Sequence, residues 1–209
     1  MNQSHPTDTP VPVFISLEPD AELADLIAHF KRQVRELAGD QLFLTDRPHL
    51  TVYLAVYPSA QTFRERWPAA FNKIAPVELE LVGWRVFYAD ALTGRNTLVC
   101  EIADEGKQRL RKLQAEVVKH VAPARDQSLT ERRYAARWGA LDEVQRRQII
   151  ASGFPYIGAG WLPHFTVASI DTSIWPRVWE VLEPRGLFGR FTCSRLQPYR
   201  LVEEHPVPL

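Results

Sequence analysis

The chain has 209 residues, with 25 Lys and Arg against 25 Asp and Glu, so its formal net charge is zero. That length suffices for one substantial core or two small ones, and the balanced charge argues against tight binding to long nucleic acid, which needs an excess of cations to neutralise phosphates. No apolar run approaches the roughly 20 residues that span a bilayer, so no membrane association is expected.

Residues 1–10 are polar and Pro-containing, and read as a flexible tail without the basic start or apolar stretch of a secretory signal. Residues 11–209 then read as a single domain. Residues 11–17 (VPVFISL) predict a first strand, and Asp20 is placed to cap the helix that follows. Leu23, Ile27, Phe30, Val34 and Leu37 recur at helical spacing, with Gly39 as the stop. Residues 49–57 (HLTVYLAVY) predict a strand, and Phe63, Trp67, Phe71 and Ile74 predict a second helix closed by Pro76. Strands are expected over 77–88 and 97–102, separated by a turn containing Gly94, Arg95 and Asn96. Leu110, Leu113, Val117 and Val121 mark a third helix.

Residues 124–160 break this rhythm and read as an insertion, with a helix over 141–152 and a loop, GFPYIGAG, after it. The window 105–147 holds eleven Lys and Arg against six Asp and Glu. A strand over 164–170, a short helix over 174–182 and one or two strands over 189–202 close the chain. Cys100 and Cys193 each sit in a strand-like run without CxxC spacing, so neither a disulfide framework nor a zinc ribbon is expected. A cytoplasmic monomer is the corresponding expectation.

The most informative feature is a repeat. PHLTV at 48–52 and PHFTV at 163–167 agree in four of five positions, each at the start of a predicted strand. Strand side chains alternate faces, so His49 shares a face with Thr51, and His164 with Thr166. Two imidazoles around one site can divide acid and base work, and hydroxyls beside them can hydrogen-bond the non-bridging oxygens of a phosphate. That constellation suits phosphodiester cleavage without a metal or cofactor. The His5-Pro6-Thr7 tripeptide has the same spacing but no strand around it, and receives no role. His29, His120 and His205 read as structural. Near the motif histidines no Cys, Asp or Glu stands at zinc-ligand spacing.

PHLTV and PHFTV resemble the paired H-x-T/S-x motifs of the two-histidine (2H) phosphoesterase superfamily, which includes bacterial RNA 2′,3′-cyclic phosphodiesterases called 2′-5′ RNA ligases. The resemblance follows the order of elements from about residue 11 to 202 and is sharp at the motifs. It implies a bilobal α+β fold with two pseudo-symmetric antiparallel sheets lining a central cleft and helices outside. It also implies metal-independent chemistry, with His49 and His164 as the acid/base pair and Thr51 and Thr166 as phosphate-binding hydroxyls. GFPYIGAGWLPHFTV is in addition similar to the run before the second motif in a bacterial branch of the superfamily linked to phosphonate metabolism.

The substrate expected on this basis is a nucleotide, a short RNA end or a phosphorylated small molecule. Tyr53, two residues beyond Thr51, is expected on the same face, and Phe14 and Tyr156 are candidates to stack on a base. Arg132 and Arg133 of the insertion are candidates for a terminal phosphate, with the insertion acting as a flap. Two further readings are a 2′-5′ ligase, which is the same site run backwards, and a non-catalytic module that binds a nucleotide or phosphorylated metabolite.

Overall fold

The computed structural model describes residues 9–90, 92–202 and 205–209; residues 1–8 of the expected tail, with His5 among them, lie outside the described residues. Strand β1 (Val11–Pro19) leads into helix α1 (Ala21–Ala38), then β2 (Leu50–Tyr57) and a short α2 (Ala60–Arg64). Strands β3 (Val77–Phe87) and β4 (Asn96–Ile102) precede α3 (Asp104–Val121). Helices α4 (Gln127–Arg133) and α5 (Glu143–Ser152) fill the insertion. Strand β5 (His164–Ile170), helix α6 (Trp175–Leu182), and strands β6 (Phe188–Val202) and β7 (His205–Pro208) complete the order.

Local chemistry sets most of these limits. The Asp20 carboxylate accepts from the Leu23 amide at 2.9 Å and caps α1, and Gly39, at a φ of 69°, closes it by donating to the Arg35 carbonyl. Leu23, Ile27 and Val34 form the buried stripe between those caps. The predicted second helix is different. Ser59 caps α2, but Pro68 interrupts the run, and Ala69–Lys73 forms only a 3₁₀ turn. A proline has no N–H for a helical bond and its ring obstructs the preceding turn, so the apolar spacing alone does not sustain the helix. The Pro-containing C-terminal end, beyond the last strand expected over 189–202, forms strand β7, paired with β6 from Tyr199↔Pro208 to Val202↔His205.

All strand pairings are antiparallel, in the order β2-β1-β6-β3-β4-β5. Strand β6 pairs with β3 through its first part and with β1 through its second. The two expected sheets are therefore one hydrogen-bonded sheet with β6 as its shared middle strand. The motif strands β2 and β5 end this path, yet they lie in contact with each other, so the sheet curls and brings its two edges together.

The insertion covers the outer edge of β2. Asp126 donates its amide to the Val56 carbonyl at 2.8 Å, and the Thr130 hydroxyl accepts from the Val56 amide at 3.0 Å. These bonds satisfy backbone groups that an edge strand otherwise leaves open. Tyr134, Leu141 and Ile149 make a small separate core beneath Trp138. Among the described residues, no helix is long and apolar enough to cross a membrane.

Candidate active site

Each motif stands at the start of its strand. His49 immediately precedes β2, and His164 opens β5. The segments leading to the motifs are each pinned to the other half of the chain. The Ser169 amide of β5 donates to the Leu42 carbonyl at 3.1 Å, and the Asp171 amide donates to the Gln41 side-chain oxygen at 2.9 Å. Conversely, the buried Gln114 of α3 donates to the Val52 carbonyl at 3.0 Å and to the Tyr156 carbonyl at 2.9 Å, while its oxygen accepts from the Gly158 amide at 3.0 Å. This exchange of anchors fixes one motif relative to the other.

The two histidines have matching surroundings. Nδ1–H of His49 donates to the Arg47 carbonyl at 2.7 Å, and Nδ1–H of His164 donates to the Leu162 carbonyl at 2.7 Å. A carbonyl only accepts, so the proton of each neutral ring sits on Nδ1 and Nε2 is left as the basic nitrogen. Each ring also meets a phenylalanine edge-on: Phe14 of β1 at 4.9 Å from His49, and Phe87 of β3 at 5.2 Å from His164.

The threonines match as well. Thr51 pairs with Ser16 and Tyr53 with Ile15, which leaves Val52 as an extra, bulged residue. Thr166 pairs with Val99 and Ala168 with Leu98, which leaves Val167 in the corresponding place. The repeated H-x-T-V thus ends on a β-bulge in both strands, a device that re-aims side chains next to a site. Both threonines are partly exposed, and among the described residues neither hydroxyl has a protein hydrogen-bond partner.

The bulge also decides Tyr53. Beyond Val52 the alternation shifts by one residue, so Tyr53 turns into the core, fully buried, and donates its hydroxyl to the Ser152 carbonyl. Its expected place beside Thr51, facing substrate, is not the one it takes. Phe14 is likewise committed: 9% exposed, edge-on to His49 and stacked on Tyr199 at 5.8 Å. Tyr156 is partly buried against Phe154, and the charges of Asp90 and Arg137 reach its hydroxyl. Arg132 is exposed at the end of α4, and Arg133 is partly buried there with its charge reaching Tyr134. Helix α4 is held to β2 where the Thr130 hydroxyl meets the Val56 amide, and Tyr134, next to Arg133, lies close enough to Tyr53 and Tyr156 for their charges to be felt.

Burial lowers both imidazoles below their ordinary range, because a desolvated site disfavours the charged ring. At His49 the bond to the Arg47 carbonyl and the carboxylates of Asp46 and Glu18 oppose this, while Lys31 adds to it. At His164 the Leu162 carbonyl and Asp90 oppose it, while His49 and Arg85 add to it. The charge of His49 is felt at His164, in keeping with the contact between strands β2 and β5. Lys31, Arg85, Phe87, Asp90 and Gln114 are absent from the sequence-derived list. A single strand or helix pattern does not reveal which of its residues point at a motif elsewhere in the chain.

Two surface grooves of about 340 and 520 Å³ lie beside Trp67 and include neither motif histidine. His120 lines one of them, with Nδ1–H donating to the Glu116 carbonyl at 2.8 Å and its ring edge-on to Phe71. Among the described residues, no second histidine lines that groove to share proton transfer.

No curated protein matches the chain. Solved structures do. LigT of E. coli in complex with NADP+ superposes with a TM-score of 0.53 at 14% identity, over 96% of this chain and 95% of that one. A structure described as a phosphoesterase superposes with a TM-score of 0.50 at 14% identity, over 95% of each chain. At such identity the likeness speaks for the fold. The sequence itself matches the 2′-5′ RNA ligase superfamily over residues 19–204, nearly its whole length. The chain belongs to that superfamily, the 2H phosphoesterases.

Proposed function

We propose that this protein is a metal-independent phosphodiesterase that hydrolyses a 2′,3′-cyclic phosphate, or a phosphodiester, on a nucleotide or short RNA end. The observation that carries this reading is the duplication of one geometry: an imidazole with Nδ1–H fixed on a carbonyl and Nε2 left basic, beside a threonine hydroxyl that has no protein partner among the described residues. A phosphate between the two Nε2 atoms would have a base on one side and an acid on the other. The neutral imidazole takes a proton from water as its oxygen attacks phosphorus. The other, as imidazolium, protonates the departing ribose oxygen. Thr51 and Thr166 donate to the non-bridging oxygens, where negative charge grows.

With a ribose hydroxyl in place of water as the nucleophile, the same groups would join a 2′,3′-cyclic end to that hydroxyl, as a 2′-5′ ligase does. The nucleotide class is further supported by the E. coli LigT structures, one with NADP+ and one with ATP, the latter superposing at a TM-score of 0.50. Arg132 and Arg133, on the insertion that covers β2, would meet a terminal phosphate or a further nucleotide of the substrate and not the scissile phosphate. Their replacement by alanine raises KM for an oligonucleotide more than for a mononucleotide. The deciding experiment is turnover of a nucleoside 2′,3′-cyclic phosphate with EDTA present. Hydrolysis by the wild-type chain, abolished in His49→Ala and His164→Ala, supports the reading. Binding without turnover in the wild type would leave a non-catalytic module instead.

A further inference from the structure

Strand β3 carries a cation, Arg85, that the proposed reaction does not use. Arg85 pairs across the sheet with Val99, and Val99 with Thr166, so all three side chains share one face. Glu101 pairs with His164, two residues from Val99 on the same strand and face. Phe87, two residues after Arg85 in unbroken register, meets the His164 ring and identifies that face as the one the site occupies. The Arg85 guanidinium donates through Nε at 3.2 Å and through Nη2 at 2.7 Å, both to the same oxygen of Glu101. That fixes the direction of its planar fork while using two of the five donors an arginine carries.

The charge of Arg85 is also incompletely cancelled. Glu101 is shared with Lys107, whose Nζ lies 3.1 Å from the same oxygen, so one carboxylate faces two cations. Lys107 has a second acid in Asp104, but that side chain is 90% exposed and screened by water. The Arg85 side chain remains 41% exposed. A planar, oriented and partly exposed guanidinium with spare donors is the arrangement that recognises phosphate oxygens in pairs.

We propose that Arg85 binds a second phosphate group of the substrate, distinct from the one held between the histidines. This rests on the reading that His49, Thr51, His164 and Thr166 hold the first. Two strand spacings separate Arg85 from Thr166, roughly 10 Å between backbones, so the guanidinium reaches a group beside the scissile phosphate and not the phosphorus itself. The substrate class that follows is a nucleotide with phosphates at two positions, and not a minimal cyclic nucleotide alone.

Equilibrium binding of adenosine 3′,5′-bisphosphate against adenosine 3′-monophosphate tests this without requiring turnover. The wild-type chain binds the bisphosphate more tightly, and Arg85→Gln lowers that preference by about tenfold, with Arg85→Lys between them. Glu101→Gln separates ligand binding from a purely structural ion pair, because both substitutions break the same bridge. If Arg85 binds phosphate, Glu101→Gln frees the guanidinium and raises the preference while Arg85→Gln lowers it. A preference unchanged in Arg85→Gln, one moved the same way by both variants, or no binding of either ligand to the wild type, overturns the proposal. An Arg85-dependent preference in a chain that never hydrolyses a cyclic nucleotide would uphold this inference and refute the proposed hydrolysis.

Discussion

The carboxamide of Gln114 donates to the main-chain carbonyl of Val52, the bulged residue that ends the first motif. The same side chain holds the Tyr156 carbonyl and the Gly158 amide on the approach to the second motif. One fully buried residue of α3 therefore joins both motif segments. Gln114→Leu keeps the volume and strands three buried backbone groups, each costing about 1–3 kcal/mol when unpaired. A loss of about 3 kcal/mol in urea unfolding is expected, together with a fall in kcat, since the spacing of the two motifs depends on these bonds. Gln114→Glu keeps the acceptor for Gly158 but buries a carboxylate against two carbonyl oxygens, and should cost at least as much.

The histidines and threonines should separate by magnitude. His49→Ala and His164→Ala each lower turnover of a 2′,3′-cyclic nucleotide by about 10²–10⁴, the usual worth of a positioned acid or base. Thr51→Val and Thr166→Val cost less, because each removes one donor among several. Rates measured with and without EDTA should coincide. Activity lost on chelation and restored by zinc would contradict the mechanism.

The pH dependence follows from the direction in which burial moves both rings. The free enzyme needs one imidazole neutral and the other protonated, and both lie below the ordinary value of 6.5. The bell-shaped profile of kcat/KM should therefore peak below pH 6.5 and decline through neutrality, reporting the pair and not either ring alone. A bound phosphate anion favours the imidazolium, so the alkaline limb of kcat lies at higher pH than that of kcat/KM. Arg85 pushes His164 down, so Arg85→Gln moves one limb to higher pH. Movement of the acid limb would make His164 the base, and movement of the alkaline limb would make it the acid. A kcat/KM maximum above pH 7.5 contradicts the assignment of the buried histidines.

Lys31 tests the electrostatics away from the reacting atoms. Its ammonium is buried, donates to the Phe43 carbonyl, and is lowered from 10.5 to about 8 chiefly by desolvation. A group depressed in the folded state costs stability below its folded value and regains it as pH rises toward the unfolded one. Relative to Lys31→Met, the wild-type chain should therefore gain on the order of 3 kcal/mol between pH 8 and 10.5. Urea unfolding of both at the two pH values measures it. Comparison with the variant is necessary because burial raises the Cys100 and Cys193 thiols, which lowers stability as pH rises above 9. A constant difference between the two proteins would contradict the assigned burial cost.

Much of this protein is determined locally. The Asp20 cap and Gly39 stop define α1, short runs rich in apolar and β-branched residues define β1 and β5, and the PHxTV repeat marks both motif strands before any contact is known. These depend on chemistry within a few residues. What only the tertiary structure decided depends on pairing between distant strands. Tyr53 leaves the Thr51 face because Val52 bulges against β1, and a period-of-two pattern carries no mark of an unpaired residue. Phe14 and Phe87 become the edge partners of the two histidines, and Arg85 joins the His164 side, only through the register of β1, β3, β4 and β5. Strand β6 makes one sheet of two halves by pairing with β3 and then β1 along its length, which no property of its own sequence announces. Faces and neighbours across a sheet are set by register, and register is a property of two strands at once.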